Sequence, residues 1–202
     1  MKIIRAEKEQ SAEIASLIME AMNYECCRNL AGPDHSLFDF FSLMQRLVAC
    51  EDSQYSYLNT LVAMSENPYL TEGNEVLQGR GILMGACVSY DGGLLHQLRQ
   101  KFIDVSLKDF GIDHSDIPDE TQAGELYIDT LCTNSEFRCQ GVATNLIKET
   151  LRKGASMGFS KVGLLVDKEN PSAEQFYTKL GFEYIDDNSF GGHPMKHLQI
   201  KI

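Results

Sequence analysis

The stretch Glu125–Thr150 constrains the fold of this chain more than any other part of the sequence. It opens with β-compatible apolar residues, which are Tyr127, Ile128, Leu131 and Cys132. Asn134-Ser135-Glu136 then predicts a turn, and Gly141 follows in a short loop. From Ala143 to Ala155, apolar residues recur at three- and four-residue spacing, which is typical of an amphipathic helix. The order predicts a strand, a glycine-bearing loop and a helix.

A loop of small residues at the start of a helix can bind an anion. The first N–H groups of a helix have no partner within it, and the helix dipole adds partial positive charge there. Gly141 allows a phosphate to approach the backbone, and Ala143 is small as well. The loop is neither a P-loop nor a dinucleotide fingerprint, because both glycine patterns are absent. On these residues alone, an ordinary tight strand-to-helix turn is the alternative.

Two motifs resemble the GNAT superfamily of N-acetyltransferases. The segment Arg138–Ala143 is similar to its Q/R-x-x-G-x-G/A loop, and Asn170–Phe182 is similar to its N-x-x-A-x-x-F-Y-x-x-x-G-F signature. A predicted strand, Val162–Val166, lies between them in the expected order. The resemblance covers roughly Leu126–Phe182. It implies a single domain over residues 1–202 of the α/β (α+β) class, with a mixed, mostly antiparallel sheet flanked by helices and splayed at the acyl-CoA site.

The resemblance also implies which residues bind acetyl-CoA, the acyl-donor substrate. The main chain of Leu131, Cys132 and Thr133 is expected to bond the pantetheine arm. The pyrophosphate is expected on the loop residues Arg138, Cys139, Gln140, Gly141, Val142, Ala143 and Thr144. Asn170 and Ala173 are expected along the other side of the same substrate. Tyr177 occupies the position of the general acid that protonates the leaving thiolate, with a packing role for its ring as the alternative.

The general base is predicted on the strand before the loop. Glu125, Tyr127, Asp129 and Leu131 alternate, so the pattern predicts that they share one face of the strand. The family places carboxylates on this strand but at no fixed position. Asp129 is the first candidate and Glu125 the second, acting directly or through water. A plain surface position for either carboxylate is the alternative.

An insertion relative to the family is predicted at about residues 91–123. It contains a helix from Leu94 to about Lys108 and then an acidic run, whose members are Asp109, Asp113, Asp116, Asp119 and Glu120. No lysine or arginine occurs from Asp109 to Phe137. The run is either a solvated loop or a lid that attracts a cationic acceptor.

Other elements follow from periodicity and turn residues. The predicted helices are Ser11–Met22 with Ser11 as its N-cap, about Ser36–Cys50, and Ser172–Leu180. The predicted strands are Asn59–Ser65 and Arg80–Tyr90, which are joined by a surface loop at Glu66–Gly79. A final hairpin pairs Glu183–Asp187 with Met195–Ile202.

Charge and composition limit the classes of molecule that this protein is expected to bind. The net charge of −11 argues against a nucleic acid and favours a cationic small-molecule or peptide amine, although acidity for solubility alone is the alternative. The sequence has no signal-like start and no apolar run that could span a bilayer, which predicts a cytoplasmic protein without a membrane partner. Its 6 cysteines lack C-x-x-C spacing and predict reduced thiols, with no metal site.

These observations predict an N-acetyltransferase that moves an acetyl group from acetyl-CoA to a primary amine by direct attack in a ternary complex. Two alternatives belong to other classes: a non-catalytic acyl-CoA-binding GNAT-like sensor, and a nucleotide-binding module unrelated to CoA. The sequence does not identify the acceptor amine, and it leaves a homodimer open.

Overall fold

A computed structural model describes residues 1–66, 69–72, 75–78 and 81–202. The strands are β1 (Lys2–Arg5), β2 (Thr60–Met64), β3 (Tyr69–Glu72), β4 (Glu75–Gln78), β5 (Leu83–Asp91), β6 (Leu126–Thr133), β7 (Lys161–Asp167), β8 (Glu183–Phe190) and β9 (His193–Lys201). The helices are α1 (Ser11–Met22), α2 (Tyr24–Ala31), α3 (Leu37–Ala49), α4 (Leu95–Phe110), α5 (Val142–Ser156) and α6 (Pro171–Lys179).

A seven-stranded sheet forms the centre, in the order β1-β2-β5-β6-β7-β9-β8. The only parallel neighbours among these strands are β6 and β7. The predicted mixed, mostly antiparallel sheet is therefore confirmed. It follows from the chain order, since β6 and β7 are joined by α5 as a crossover, whereas β8 and β9 are joined by the short Gly191-Gly192 turn.

Helices cover both faces of the sheet, as predicted. On one face α1 and α3 bury Ile14 and Phe40 against strand residues such as Val88. On the other face α5 buries Leu146 and Ile147 among residues of the central strands. Each core therefore receives one stripe of a helix and alternate residues of the strands.

Two predictions about local structure were wrong. The predicted loop at Glu66–Gly79 contains the two short antiparallel strands β3 and β4, and its residues 67–68, 73–74 and 79 lie outside the described part. The predicted strand start at Arg80 also lies outside it, and β5 begins at Leu83. Helix α1 has its predicted bounds, but Gln10 occupies the N-cap position and Ser11 is already helical.

Helix α2 was not predicted at all. It buries only Cys27 and Ala31, so its sequence carries too few apolar residues to show a helical stripe. Asn23 separates it from α1 by adopting a positive φ of 61°, and its side chain accepts a hydrogen bond from the Cys26 N–H. A single asparagine therefore ends one helix and begins the next.

Candidate active site

A cleft opens where β6 and β7 separate. The two strands pair only over Leu126–Ile128, opposite Val162, Gly163 and Leu164. Beyond that point β6 continues along β5, and β7 continues along β9. Their facing edges therefore carry backbone N–H and C=O groups without a strand partner, which can bond an extended ligand as a strand would. The cleft has a volume of about 720 Å³ and is lined by Leu131, Cys132 and Thr133 among other residues.

A β-bulge lies in β6 at this point. Thr130 pairs with Val88 and Ile128 pairs with Ser89, so Asp129 has no partner on β5. Bulges re-aim side chains and are frequent beside active sites. Here the extra residue is the first candidate for the general base.

The bulge also reverses the alternation of side chains along β6. Tyr127 packs with Tyr90 on the face that α4 covers, whereas Leu131 packs with Ile128 in the core under α5. The prediction that Glu125, Tyr127, Asp129 and Leu131 share one face is therefore wrong for Leu131. A period-two pattern cannot show an inserted residue.

The predicted anion loop precedes α5. Gly141 is the N-cap residue with a φ of 78°, and no side chain caps this end of the helix. A Cβ at position 141 would have only the Asn145 amide nitrogen near it, at 3.6 Å, so the positive φ rather than crowding requires glycine. Val142 is buried, which leaves its backbone N–H as its contribution to a ligand. The free end of α5 is thus suited to an anion.

The remaining loop residues are more exposed. Arg138 lines the cleft and forms an ion pair with Glu20 at the end of α1. Cys139 is exposed and has a φ of 60°, which is unusual for a residue with a side chain. The Gln140 side chain donates to the Glu136 carbonyl at 3.2 Å. Ala143 and Thr144 lie in the first turn of α5, where N–H groups lack partners within the helix.

Every cysteine is a free thiol. Burial raises the pKa of Cys132 to about 12, so this cleft residue stays protonated and is a poor nucleophile.

Helix α6 forms the opposite wall of the cleft. Asn170 is its N-cap, and its side-chain oxygen accepts a hydrogen bond from the Ala173 N–H at 3.1 Å. The Asn170 amide NH₂ group has no partner in the described part of the chain, and it lines the cleft together with Ala173. Both residues therefore line the cleft, and Asn170 also starts α6.

The end of α6 positions Tyr177. The Phe182 N–H donates to the Tyr177 carbonyl at 3.1 Å and the Gly181 N–H to that of Thr178 at 3.0 Å, which is a Schellman motif with Gly181 at a φ of 97°. The rings of Tyr177 and Phe182 lie 5.7 Å apart, as the hydrophobic contact of that motif requires. The Tyr177 hydroxyl has no hydrogen-bond partner among the described residues, and burial raises the pKa of this phenol. It therefore faces the cleft as a neutral donor.

Asp129 lines the same cleft from β6. Its carboxyl group accepts hydrogen bonds from Thr130 Oγ1 at 2.8 Å, from Gln54 Nε2 at 3.2 Å and from Tyr90 Oη at 3.2 Å. Burial raises the pKa of Asp129 above its usual range and outweighs the lowering by these three hydrogen bonds and by the charge of Arg99. A carboxyl group with a raised pKa is better suited to accept a proton near neutral pH.

A second carboxyl group, Glu120, lines the same cleft. Its side chain is 3% exposed, accepts a hydrogen bond from Tyr90 Oη at 3.0 Å and forms an ion pair with Arg99. Burial, followed by the charge of Asp129, raises the pKa of Glu120 to about 7. Sequence reasoning assigned Glu120 only to the acidic run. Arg99 was the signal in the sequence that could have pointed to Glu120. It lies on the inward face of the inserted helix, four residues after Leu95, and a buried arginine needs an acidic partner.

Glu125 lies outside the cleft. Its fully buried carboxylate accepts hydrogen bonds from Thr121 at 2.7 Å and Gln199 at 2.6 Å, and it pairs with His197 at 3.0 Å. Burial raises the pKa of Glu125, but these hydrogen bonds outweigh that effect and hold it below its usual value. Gly163 is required beside it, because a Cβ there would lie 2.0 Å from Glu125 Oε2. The structure therefore does not bring the second candidate base to the acyl-CoA site.

The acidic run has no single role. Asp109 forms an ion pair with Arg46, and Asp113 accepts a hydrogen bond from the Ser115 N–H. Asp119 contacts Arg99 and, with Glu120, lines a second hollow of about 380 Å³. Only the end of the run therefore reaches the candidate site.

Three potential metal ligands lie at the cleft rim. Oxygen and nitrogen atoms of Asp167, Glu169 and His193 all lie within 4.8 Å of one another. His193 and Asp167 already form an ion pair at 3.3 Å, which explains their proximity without an ion. No helix in the described part of the chain has the length and apolarity needed to cross a membrane.

Comparisons with known proteins agree with this geometry. Residues 110–182 match the model of the Acetyltransferase (GNAT) family. A stretch of 64 residues is 31% identical to GCN5-related N-acetyltransferase 6, chloroplastic, of Arabidopsis thaliana, and it covers 32% of this chain but only 22% of that protein.

Solved structures share the fold over the whole chain. A crystal structure of an acetyltransferase is 23% identical at a TM-score of 0.78, with 100% of this chain and 99% of that one covered. An N-acetyltransferase from Staphylococcus aureus Mu50 is 21% identical at a TM-score of 0.75, with 99% and 100% covered. The family match is therefore confined to residues 110–182, whereas the fold of the whole chain is that of these solved acetyltransferases.

Proposed function

We propose that this protein transfers the acetyl group of acetyl-CoA to a primary amine by direct attack within a ternary complex. One observation carries the proposal: the cleft between β6 and β7 brings the open edge of β6, the start of α5 and Tyr177 together. A fold neighbour, the NatC complex, was solved with a Gag peptide and CoA, which supports CoA as the carrier of the acetyl group.

The two walls of the cleft suggest how the reaction is divided. Backbone groups of Leu131, Cys132 and Thr133 hold the donor in an extended form, and the free N–H groups at Gly141–Thr144 hold its pyrophosphate. Positioning two substrates in line supplies much of the rate acceleration. A backbone N–H of the open β6 edge polarises the thioester carbonyl.

Tyr177 acts on the leaving group. An ordinary thiol has a pKa of about 8.5, which is below that of this buried phenol, so complete proton transfer before C–S cleavage is unfavourable. The phenol therefore donates a hydrogen bond to the sulfur and gives up its proton as negative charge develops there. Asp129 accepts the proton that the ammonium must lose before it can attack.

The acceptor is proposed to be cationic. Asp129 and Glu120 in the cleft, with Asp119 in the adjoining hollow, concentrate negative charge beside the thioester site. A spermidine N-acetyltransferase chimera from Vibrio cholerae and hSSAT shares the fold at a TM-score of 0.58 and 15% identity, so the fold accommodates such amines.

The test is a panel of cationic, neutral and anionic primary amines incubated with acetyl-CoA and the protein. Free CoA thiol should appear only when a cationic amine is present, and the amine should gain an acetyl group by mass. Acetyl-CoA binding without thiol release for any amine would instead support the non-catalytic sensor. Absence of acetyl-CoA binding would overturn both functions.

A further inference from the structure

Two carboxyl groups, the buried Glu120 and the half-buried Asp129, contact the hydroxyl of one tyrosine in this molecule. Tyr90 Oη lies 3.0 Å from Glu120 Oε1 and 3.2 Å from Asp129 Oδ2. A phenol has one proton, so it can donate to only one of the two. For the second contact to be a hydrogen bond, that carboxyl group must carry a proton and donate it to the phenol oxygen.

The charges around Glu120 and Asp129 also favour one shared proton. The Arg99 guanidinium lies against Glu120 and is shared with Asp119 and with the carbonyls of Ile117 and Pro118. No cation contacts Asp129 among the described residues, and its other donors are Gln54 and Thr130. Two carboxylates that close cannot both ionise readily at low dielectric. Further titratable groups near the pair are Cys26, Tyr55, Tyr127, Asp119, Asp186 and His197.

Glu120 also has a position that Asp129 lacks. It lines the cleft, and it lines the second hollow, whose other walls include Asp119, Asp186 and His197. Asp129 lines only the cleft. The chain Asp129–Tyr90–Glu120 therefore connects the amine site with a separate opening to solvent.

We infer that Glu120 and Asp129 hold one shared proton through Tyr90, and that the proton of the reacting amine leaves through Glu120 into the second hollow. This inference rests on the proposed function. Arg99 favours the proton on Asp129 at rest, so Asp129 can take the ammonium proton only as its own passes to Tyr90 and that of Tyr90 passes to Glu120. Glu120 acts through Asp129 and is a positioning residue for the base.

The step balances. The ammonium loses one proton to Asp129, and Glu120 releases one to water in the hollow, so the pair returns to its starting state. The neutral amine then attacks the thioester carbonyl carbon; the C–N bond forms and the C–S bond breaks. The attacking nitrogen then loses a second proton, and the CoA thiolate ends with one proton on its sulfur. The products are the amide, the CoA thiol and one proton in solution.

The test compares Glu120→Gln with wild type, because glutamine keeps the shape and an oxygen that accepts from the Tyr90 hydroxyl but cannot take up a proton. Infrared spectra of the whole protein should show the C=O stretch of a protonated carboxyl group at neutral pH, and Glu120→Gln and Asp129→Asn should each remove it. Asp109→Asn is the matched control, since Asp109 is an arginine-paired carboxylate of the same insertion outside both cavities. It should leave the band unchanged.

The same variants are then assayed with the best amine. Glu120→Gln should lower the saturated rate by about tenfold to a hundredfold and remove the bend in its pH profile near neutral pH, with unchanged acetyl-CoA affinity. A purely structural role would lower folding or affinity without altering the pH profile. Absence of the band in wild type, or a Glu120→Gln profile that matches wild type, would overturn the inference. If no amine is acetylated, the proposed function fails, while the infrared result still decides whether the proton is shared.

Discussion

The two walls of the cleft are built in different ways. The wall proposed for the acyl donor offers mainly backbone groups from one continuous stretch, the end of β6 and the start of α5. The wall proposed for the acceptor carries the Glu120 and Asp129 side chains, which are hydrogen-bonded by Tyr90 and Gln54 from two further parts of the chain. A backbone site depends on local conformation and tolerates most side chains, whereas a side-chain site can change its substrate by single substitutions.

The largest effect is expected on the donor wall, from Gly141→Glu. A side chain at a φ of 78° is strained, and its carboxylate would repel the pyrophosphate. Acetyl-CoA affinity measured by calorimetry should fall by at least about a hundredfold, or about 2.8 kcal/mol. Gly158→Glu is the control, because Gly158 has a φ of 85° and open space at the other end of α5. Equal acetyl-CoA affinity of both variants would show that the pyrophosphate does not bind to this loop.

The next effect is expected from Tyr177→Phe, which keeps the ring contact with Phe182 and removes the hydroxyl. Turnover should fall by about ten- to a thousandfold, or about 1.4 to 4 kcal/mol in the barrier, with acetyl-CoA affinity nearly intact. Tyr184→Phe is the control, since that hydroxyl is exposed and bonds Asp187. Wild-type turnover in Tyr177→Phe, with chemistry rate-limiting, would leave the tyrosine a packing role only.

The same contrast explains what the sequence could predict. The elements of the proposed donor wall were predictable because they are neighbours along the chain: the turn after β6, Gly141 and the first residues of α5 appear in order. The mixed sheet and the helices on both faces were predictable for the same reason, through their periodicities.

The acceptor wall was less predictable, since its contacts join distant residues. The Glu120–Tyr90 pair is separated by 30 residues and the Gln54–Asp129 pair by 75. The bulge at Asp129 depends on the register with β5, which no local pattern contains. Glu125 was assigned to the site from its position along the chain, but it contacts His197 on β9, 72 residues away, and lies outside the cleft.

A third prediction distinguishes Glu125, the residue before β6, from Asp129 by its contribution to stability. Burial alone lowers the pKa of His197, but its contacts with Glu125 and Asp186 outweigh burial and raise it. This stabilisation is present below the usual histidine value of 6.5 and is lost as pH rises through the raised pKa. The lowered pKa of Glu125 contributes stability above 4.5, which is lost as pH falls through the lowered pKa. The pair stabilises the fold most between these two values.

Glu125→Gln should therefore reduce the free energy of unfolding by about 3 kcal/mol, with the largest difference from wild type between pH 4.5 and 6.5. Chemical denaturation across pH measures it, and the saturated rate of the folded variant should match wild type. Glu174→Gln, which breaks the less buried pair with Lys196, should cost less than about 1 kcal/mol. If folded Glu125→Gln shows a large fall in the saturated rate, Glu125 is again a candidate for the general base.

The smallest effect is expected at the edge of the acceptor wall, from Asp119→Asn. Asp119 is 48% exposed and lines the second hollow beside Glu120, so its charge acts on an approaching cation mainly through solvent. Such interactions extend over about 10 Å at 0.1 M salt and are screened above that. The KM for a cationic amine should rise about two- to threefold at low salt and converge with wild type at high salt.

Asp113→Asn is the matched control for that measurement. Asp113 belongs to the same insertion and its carboxylate is also exposed, but it bonds the Ser115 N–H and lines neither cavity. If the acidic run attracts cations as a whole, both variants should change the KM equally. If only its end faces the acceptor, as proposed, Asp119→Asn alone should change it. A shift in KM that persists at high salt would assign Asp119 to direct contact with the amine instead of steering, because direct contacts are screened far less.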